Sequence, residues 1–136
     1  HDTTAMNVIG RDVLAAGDKI WLDGTSSGEV TFDVGGTGGL ARVKVYDTAG
    51  AVVGSMDLGF VAGGRHDFDI SAAVTGLPEG AYHYSVDVAD AAGKAVPSQT
   101  YISARVDGVT YGADGPVLTS GRLRIPFPTI LEVSSK

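Results

Sequence analysis

Apolar side chains that alternate with polar ones, in short runs separated by glycine, constrain the fold of this chain more than any other sequence feature. Between residues 80 and 89, for example, Tyr82, Tyr84 and Val86 alternate with polar side chains. A period of two places alternate side chains on one face of an extended strand. Because similar runs recur along the chain, we predict an all-β fold of about nine or ten short strands, arranged as a sandwich, a barrel or one of each.

A hairpin is predicted where two such runs flank the turn from Asp47 to Gly50. Val43 and Val45 mark the first strand, and the second runs from Val52 to Leu58. The carboxylate of Asp47 can accept a hydrogen bond from the backbone two residues on, and Gly50 can adopt a positive φ without strain. We therefore expect an ordered turn whose conformation requires glycine at position 50.

Other signals divide the rest of the chain. Pro97 lacks a backbone N–H and, within the run from Lys94 to Val109, places its own part at a sheet edge or a bulge. A second hairpin, with a turn at Thr119-Ser120-Gly121, precedes a last strand from Ile130 to Val133. No segment sustains helical periodicity, and the best helical candidates, residues 3–8 and 71–74, are too short to form independently stable helices.

Composition excludes some classes of partner and of stabilising element. The chain has 136 residues, no cysteine and 20 glycines, which frequent tight turns explain. A chain of this length can bury a sizeable core without a disulfide or a metal. The net charge is −6 and the basic residues are dispersed, which argues against nucleic acid or an anionic membrane as partner. No apolar run approaches the ~20 residues that span a bilayer.

Histidines and acidic residues are the first candidates for chemistry. His1, His66 and His83 lack the spacings at which zinc ligands converge. Asp87 and Asp90 could act as a general acid and base only if both side chains entered one cleft, but three positions apart on a strand they face opposite sides. We interpret them as a solvated strand end. The sequence therefore predicts no catalytic residue, no metal ligand and no cofactor-binding residue.

Two further segments invite a functional interpretation. The glycine-rich run from Val34 to Gly39 resembles a phosphate-binding loop, but such a loop needs a following helix and usually a lysine, and here a strand follows. A flexible inter-strand loop is the better interpretation. Ser26-Ser27-Gly28 lacks the strand-turn-helix setting of a nucleophile elbow, and no His-Asp pair can be assigned to it.

Trp21, between Ile20 and Leu22, supports two hypotheses. A lone tryptophan in a small β-domain usually packs in a core or between domains. Alternatively, its ring could stack on a pyranose, which would make the chain an extracellular carbohydrate- or surface-binding β-sandwich module. Tyr82 and Tyr84 share a face with Val86, and we expect both tyrosines in the core.

Four blocks of residues, in this order, resemble the C-terminal core of bacterial flagellar hook-capping (hook scaffolding) proteins, the FlgD family. They are Val8-Ile9-Gly10-Arg11-Asp12-Val13, then Val43-x-Val45-x-Asp47-x-x-Gly50-x-Val52-Val53 leading to Leu58-Gly59, then Ala62-Gly63 with Phe68 and Pro78-x-Gly80-x-Tyr82, and last Val106-x-Gly108-Val109 with Gly115 and a terminal hairpin. The first and last blocks discriminate best, since many secreted sandwiches contain the others. Asp69-Ile70-Ser71 departs from the family, which often has Trp-Asp-Gly shortly after the phenylalanine.

The resemblance implies a specific arrangement of two β-domains. A fibronectin-III/Ig-like β-sandwich of residues 30–102 is expected to be inserted into a small Tudor-like β-barrel. The barrel is expected to combine residues 1–29 with residues 103–136. This nesting would require the chain to cross between the two domains twice.

The resemblance also implies a function in assembly and no enzymatic activity. The expected role is a cap at the distal end of the growing flagellar hook, where it assists the polymerisation of exported hook subunits and is later displaced. The implied partners are hook protein subunits and further copies in a cap oligomer, with no nucleic acid, no cofactor and no membrane insertion. The implied location is extracellular, reached through the flagellar type III apparatus without a cleaved signal peptide.

Overall fold

The computed structural model describes residues 3–23 and 28–134 and confirms the all-β class. Within these residues it has thirteen strands, two helices of four residues each, α1 (Thr3–Met6) and α2 (Ser71–Val74), and a 3-10 turn at Phe127–Thr129. The strands are β1 (Asp12–Ala16), β2 (Lys19–Leu22), β3 (Glu29–Val34), β4 (Gly39–Tyr46), β5 (Val52–Val61), β6 (Gly64–Asp69), β7 (Gly80–Ala89), β8 (Ala95–Val96), β9 (Ser98–Arg105), β10 (Gly108–Gly112), β11 (Gly115–Ser120), β12 (Leu123–Pro126) and β13 (Ile130–Val133).

The strand count exceeds the predicted nine or ten because some apolar runs divide. Pro97 separates β8 from β9, and two residues outside any strand separate β9 from β10. Pro97 thus interrupts pairing, as its missing N–H predicts. The hairpins β4–β5 and β11–β12, the last strand and both short helices lie where the sequence predicts them. No helix in the described parts of the chain is long and apolar enough to cross a membrane.

The first of two compact units combines both ends of the chain, His1–Gly17 and Tyr101–Lys136. In this unit β1 pairs with both β13 and β9, and β10, β11 and β12 form an antiparallel meander. The residues that form its core are Ala5, Val8, Val13, Ala15, Ile102, Val106, Leu118 and Ile125. The core therefore draws on both segments of the unit.

Backbone hydrogen bonds join the two sequence blocks that best discriminate the resemblance. The N–H of Gly10 donates to the carbonyl of Val106 (2.8 Å), and the N–H of Val106 donates to the carbonyl of Arg11 (2.9 Å). Gly10 has a φ of +86°, which a residue with a Cβ adopts only with strain. Val8 and Val106 also both belong to the core of the first unit. Residues far apart in sequence thus form one local structure.

The second unit, Asp18–Thr100, has two layers. One layer is the sheet β2-β7-β4-β5 with β8 beside β7, and the other contains the antiparallel pair β3–β6. Side chains from both layers, including Phe32, Val43 and Tyr84, form one core. The hydroxyl of Tyr84 donates to the carbonyl of Thr31 (2.9 Å), and this buried hydrogen bond ties the layers together.

The chain passes from the first unit to the second between Gly17 and Asp18 and returns between Thr100 and Tyr101. Strand β2 pairs with β7 and so lies in the second unit. The sequence predicts a barrel of residues 1–29 with 103–136 and a sandwich of residues 30–102. The limits and the fold types of these two domains stay predictions.

Candidate functional site

The histidines considered for chemistry have separate structural partners. Nε2 of His66 lies 2.7 Å from the carbonyl oxygen of Ala62, and Nδ1 of His83 lies 2.9 Å from Oδ1 of Asp18. His1 lies outside the described residues. In the described ranges, 3–23 and 28–134, no cluster of three or more His, Cys, Asp or Glu side chains could hold a metal ion.

Asp87 and Asp90 do not share a partner. Asp87 is exposed on β7, and its carboxylate lies 3.5 Å from Nζ of Lys44. Asp90 follows the end of β7 and accepts hydrogen bonds from the backbone N–H groups of Ala92 and Lys94, both at 2.9 Å. Each carboxylate has a structural role of its own, which fits the interpretation of strand-end acids.

The turn at Asp47 has the predicted form and occurs a second time at Asp90. Oδ1 of Asp47 accepts hydrogen bonds from the N–H groups of Ala49 and Ala51, and Gly50 has a φ of +91°. After β7 the carboxylate of Asp90 makes the equivalent bonds, and the glycine three residues on has a φ of +82°. Sequence analysis missed this repetition, although both turns read Asp-x-Ala-Gly.

Close backbone packing explains two glycines of the run between β3 and β4. A Cβ on Gly38 would overlap the carbonyl oxygen of Val61, and a Cβ on Gly39 would overlap that of Ala89. Strand β4 begins at Gly39, so no helix follows the run to bind a phosphate. The prediction of a flexible loop thus missed the reason for these glycines. The pair Ser26-Ser27 lies outside the described residues.

Of the aromatic residues considered in the sequence, the two tyrosines lie in the core and the tryptophan is only partly buried. Tyr82 and Tyr84 are 7% and 2% exposed, which confirms that they belong to the core. Trp21 is half-buried on β2, opposite Ala81 of β7. A half-buried ring is not the fully exposed platform that a sugar-binding module would present.

A β-bulge in β5 is one of two register shifts in the pairing of β4 with β5 in the second unit. Ala41 of β4 pairs with Gly59, whereas the next residue of β4, Arg42, pairs with Asp57. Leu58 is therefore the extra residue of β5. Gly59 has a φ of +74°, as expected for a bulge that requires glycine in the left-handed region.

The bulge turns an aromatic side chain outward. Met56 and Leu58 pack against the core, and strict alternation would place Phe60 there as well. Because the bulge shifts the alternation by one residue, Phe60 is 66% exposed and Val61 is 2% exposed. Sequence analysis did not identify Phe60. The glycine that precedes it inside a strand is the signal that could have done so.

Phe60 is part of an apolar surface at one end of the sheet. Leu40, which is 65% exposed, pairs with Phe60 on one side and with Ala89 on the other. These side chains and the turn residues Ala91 and Ala92 contribute to a depression of ≈ 560 Å³. We call Leu40, Phe60, Ala89, Ala91 and Ala92 the Phe60 patch.

Paired charges lie beside the Phe60 patch on the same face. Arg42 forms an ion pair with Asp57 (2.9 Å), and Lys44 forms one with Asp87 (3.5 Å). Together with Leu40 they line a second depression of ≈ 420 Å³. Two cations balance two anions, so this part of the surface carries no net charge although the chain is strongly acidic.

Two acidic side chains elsewhere are held in the charged form by turn hydrogen bonds. The N–H of Gly121 (2.6 Å) and the hydroxyl of Thr119 (2.8 Å) donate to Asp107 and lower its pKa. The backbone N–H of Ser71 donates to Asp69 (2.8 Å) and lowers its pKa. Both carboxylates are exposed, and they fix local backbone structure.

Comparison with known proteins identifies a family that this chain matches. A family model described as the FlgD Tudor-like domain matches residues 3–131. The chain is similar to the crystal structure of FlgD from P. aeruginosa, with 28% identity, a TM-score of 0.69, and coverage of 93% of this chain and 98% of the other. The comparison with curated proteins gave no match.

A second solved structure supports the same fold. FlgD from Xanthomonas campestris, described in connection with hook capping essential for flagellar assembly, is 24% identical with a TM-score of 0.74. The match covers 97% of this chain and 98% of the other. A third, truncated FlgD from Helicobacter pylori, is 15% identical with a TM-score of 0.50 and coverage of 93% and 94%.

Proposed function

This chain belongs to the family of FlgD Tudor-like domains, and we propose that the protein containing it is an assembly scaffold at the distal end of the growing bacterial flagellar hook. There it assists the polymerisation of exported hook subunits and is later displaced. The single observation that carries the proposal is the match to FlgD along nearly the whole chain. The proposed partners are hook subunits and further copies of the protein in a cap oligomer.

A scaffold binds and releases its neighbours and turns over no substrate. Asp47 and Asp90 fix turns, and Asp87 pairs with Lys44, so these acids have structural partners. A small contact surface is easier to separate than a large obligate interface, and therefore suits a scaffold whose partners must move. The Phe60 patch has this character, and we assign no catalytic residue.

We extend the proposal to the fold types of the two domains. The fibronectin-III/Ig-like sandwich predicted for residues 30–102 is assigned to the second unit, Asp18–Thr100, and the Tudor-like barrel predicted for residues 1–29 with 103–136 is assigned to the first unit. The two layers of the second unit support the sandwich, since consecutive strands β3 and β4 lie in different layers. A second support is the hydroxyl of Tyr82, near the start of β7, which donates to the carbonyl of Pro78 (2.6 Å). Ig-like sandwiches carry a similar tyrosine corner.

The proposed place of action is extracellular, at the tip of the hook. It would be reached through the flagellar type III apparatus without a cleaved signal peptide. Support comes from family membership, because a protein that caps the hook acts where hook subunits are added. The Xanthomonas campestris protein is the relative whose structure is described in connection with hook capping.

Complementation tests the proposed function. A strain of the source bacterium that lacks this gene receives either the intact gene or the gene with residues 8–133 deleted. We expect electron microscopy to show hooks only with the intact gene. If the intact gene is expressed and hook subunits are secreted into the medium without polymerising, the proposed function is wrong.

A further inference from the structure

Two connections of the second unit cross from one layer to the other, and their backbones meet at the same end. Residues 35–38 join β3 to β4, and residues 62–63 join β5 to β6. A Cβ on Gly63 would overlap the carbonyl oxygen of Gly36. Backbone therefore packs directly on backbone between the two connections, and a shift of one displaces the other.

The first connection is anchored to further backbone groups at both of its ends. The N–H of Gly35 donates to the carbonyl of Pro97 (2.8 Å), and a Cβ on Gly35 would lie 3.2 Å from the same oxygen. Gly38 lies against the carbonyl group of Val61, at the end of β5. The N–H of Gly38 donates to the carbonyl of Gly35 (3.1 Å), which closes the turn. Glycine suits these positions because a side chain would separate backbones that touch.

The residues that lead into both connections are buried in the core. Val34 ends β3 and is 3% exposed, and Val61 ends β5 and is 2% exposed. Both belong to the core that side chains from the two layers form together. A movement that opens either connection therefore pulls on a core side chain, and exposing that side chain to water is unfavourable. Loops that open locally have few such buried contacts.

We propose that residues 35–38 and 62–63 form a clasp that locks the two layers together, so that both connections open only when the layers separate. This end of the second unit is then rigid, although glycine supplies half of the clasp residues. Leu40 and Phe60 lie within two residues of the clasp, which therefore also fixes the backbone that carries the Phe60 patch. A surface that is fixed in advance loses less conformational entropy when a partner binds.

Native-state hydrogen exchange, followed residue by residue with nuclear magnetic resonance, tests the clasp in the unmodified chain. The N–H groups of Gly38 and Gly50 make the same kind of turn hydrogen bond, each to the third residue before it (3.1 and 3.0 Å). Gly38 belongs to the clasp, whereas Gly50 lies in an exposed turn of the same unit. We expect protection of the Gly38 amide within about tenfold of that of the Val43 amide, in an interior strand, and at least about 100-fold above that of the Gly50 amide.

Gly63→Ala tests the coupling between the two connections. The φ of Gly63 is not positive, so the added Cβ acts through its contact with Gly36 and not through backbone strain. We expect the amides of Gly38 and Val43 to exchange at least about tenfold faster, and by the same factor, because one opening exposes both. The control is Gly112→Ala in the first unit, where φ is not positive either and the added Cβ would have its nearest neighbour at 3.9 Å. This variant should leave exchange at Gly38 within about twofold of the wild type.

Two results would overturn the inference. One is a Gly38 amide that exchanges as fast as the Gly50 amide in the unmodified chain, because the first connection would then open locally. The other is a Gly63→Ala variant in which the Gly38 amide does not accelerate, or accelerates while the Val43 amide does not. If circular dichroism shows that Gly63→Ala does not fold, the comparison of Gly38 with Gly50 in the unmodified chain still decides. Hook complementation does not enter this test, so its failure would count against the proposed function alone.

Discussion

Replacing Gly50 by valine isolates the strain of one backbone conformation. Gly50 has a φ of +91°, and a Cβ built there meets no atom within 4 Å. The added Cβ therefore overlaps no atom of the rest of the protein. The left-handed conformation costs a residue with a Cβ about 1–2 kcal/mol, with β-branched residues at the upper end. Lower entropy of the unfolded chain offsets a few tenths of that, so we expect a net loss of about 1–2 kcal/mol.

Urea unfolding followed by tryptophan fluorescence measures this loss. Trp21 is the only tryptophan, and it lies in the same unit as Gly50, so its emission reports on the relevant part of the protein. For a urea dependence of about 2 kcal/mol per molar, the midpoint should fall by roughly 0.5–1 M. Gly50→Asn should cost less, because asparagine tolerates a positive φ.

The matched control is Ala51→Val, which adds the same side chain one residue later. Ala51 is exposed, and no described residue other than glycine has a positive φ. Its free energy of unfolding should change by less than about 0.5 kcal/mol. Equal midpoints for Gly50→Val and Ala51→Val would refute the reasoning, because the loss could not then come from the backbone conformation at position 50.

Two further substitutions test individual hydrogen bonds. Tyr84→Phe should lower the free energy of unfolding by about 1–2 kcal/mol, because it removes the buried hydrogen bond to Thr31. Tyr46→Phe, at a half-buried site, should change the free energy of unfolding by less than about 0.5 kcal/mol. Equal losses for the two variants in urea titrations would contradict this prediction. Asp107 has a folded pKa below its ordinary value of 3.8, so its contribution is present above that pH and is lost as pH falls through the folded pKa. Asp107→Asn should therefore lower the urea midpoint at neutral pH, and the difference in midpoint between this variant and the wild type should narrow below pH 3.8. A difference in midpoint that stays constant on acidification would contradict this pH dependence.

Local sequence rules predicted much of the strand pattern. The Asp47 turn requires only a carboxylate that reaches nearby amides and a glycine that tolerates a positive φ. The same rule applies to the Asp90 turn, which has the same Asp-x-Ala-Gly sequence and the same pair of hydrogen bonds. Tyr82 and Tyr84 could be placed in the core because alternation assigns them to the apolar face.

The candidate surface was not predictable in the same way. Alternation groups Phe60 with Met56 and Leu58 on the core side, and the bulge at Leu58 in the β4–β5 pairing reverses it. A bulge is a property of two strands together, so the sequence of β5 alone shows no more than a glycine at position 59. The ion pairs beside the patch likewise depend on which strand lies next to β4.

Preferences for extended or turn backbone could be derived from the sequence alone, because they depend on contacts within a few positions along the chain. The order of four short sequence blocks along the chain also indicated the family. The hydrogen bond between Gly10 and Val106 and the outward orientation of Phe60 depend instead on how distant segments pack together. Period-two patterning fixes the face of each side chain relative to its own strand, whereas the partner of that strand and any bulge between them follow from packing across the whole domain.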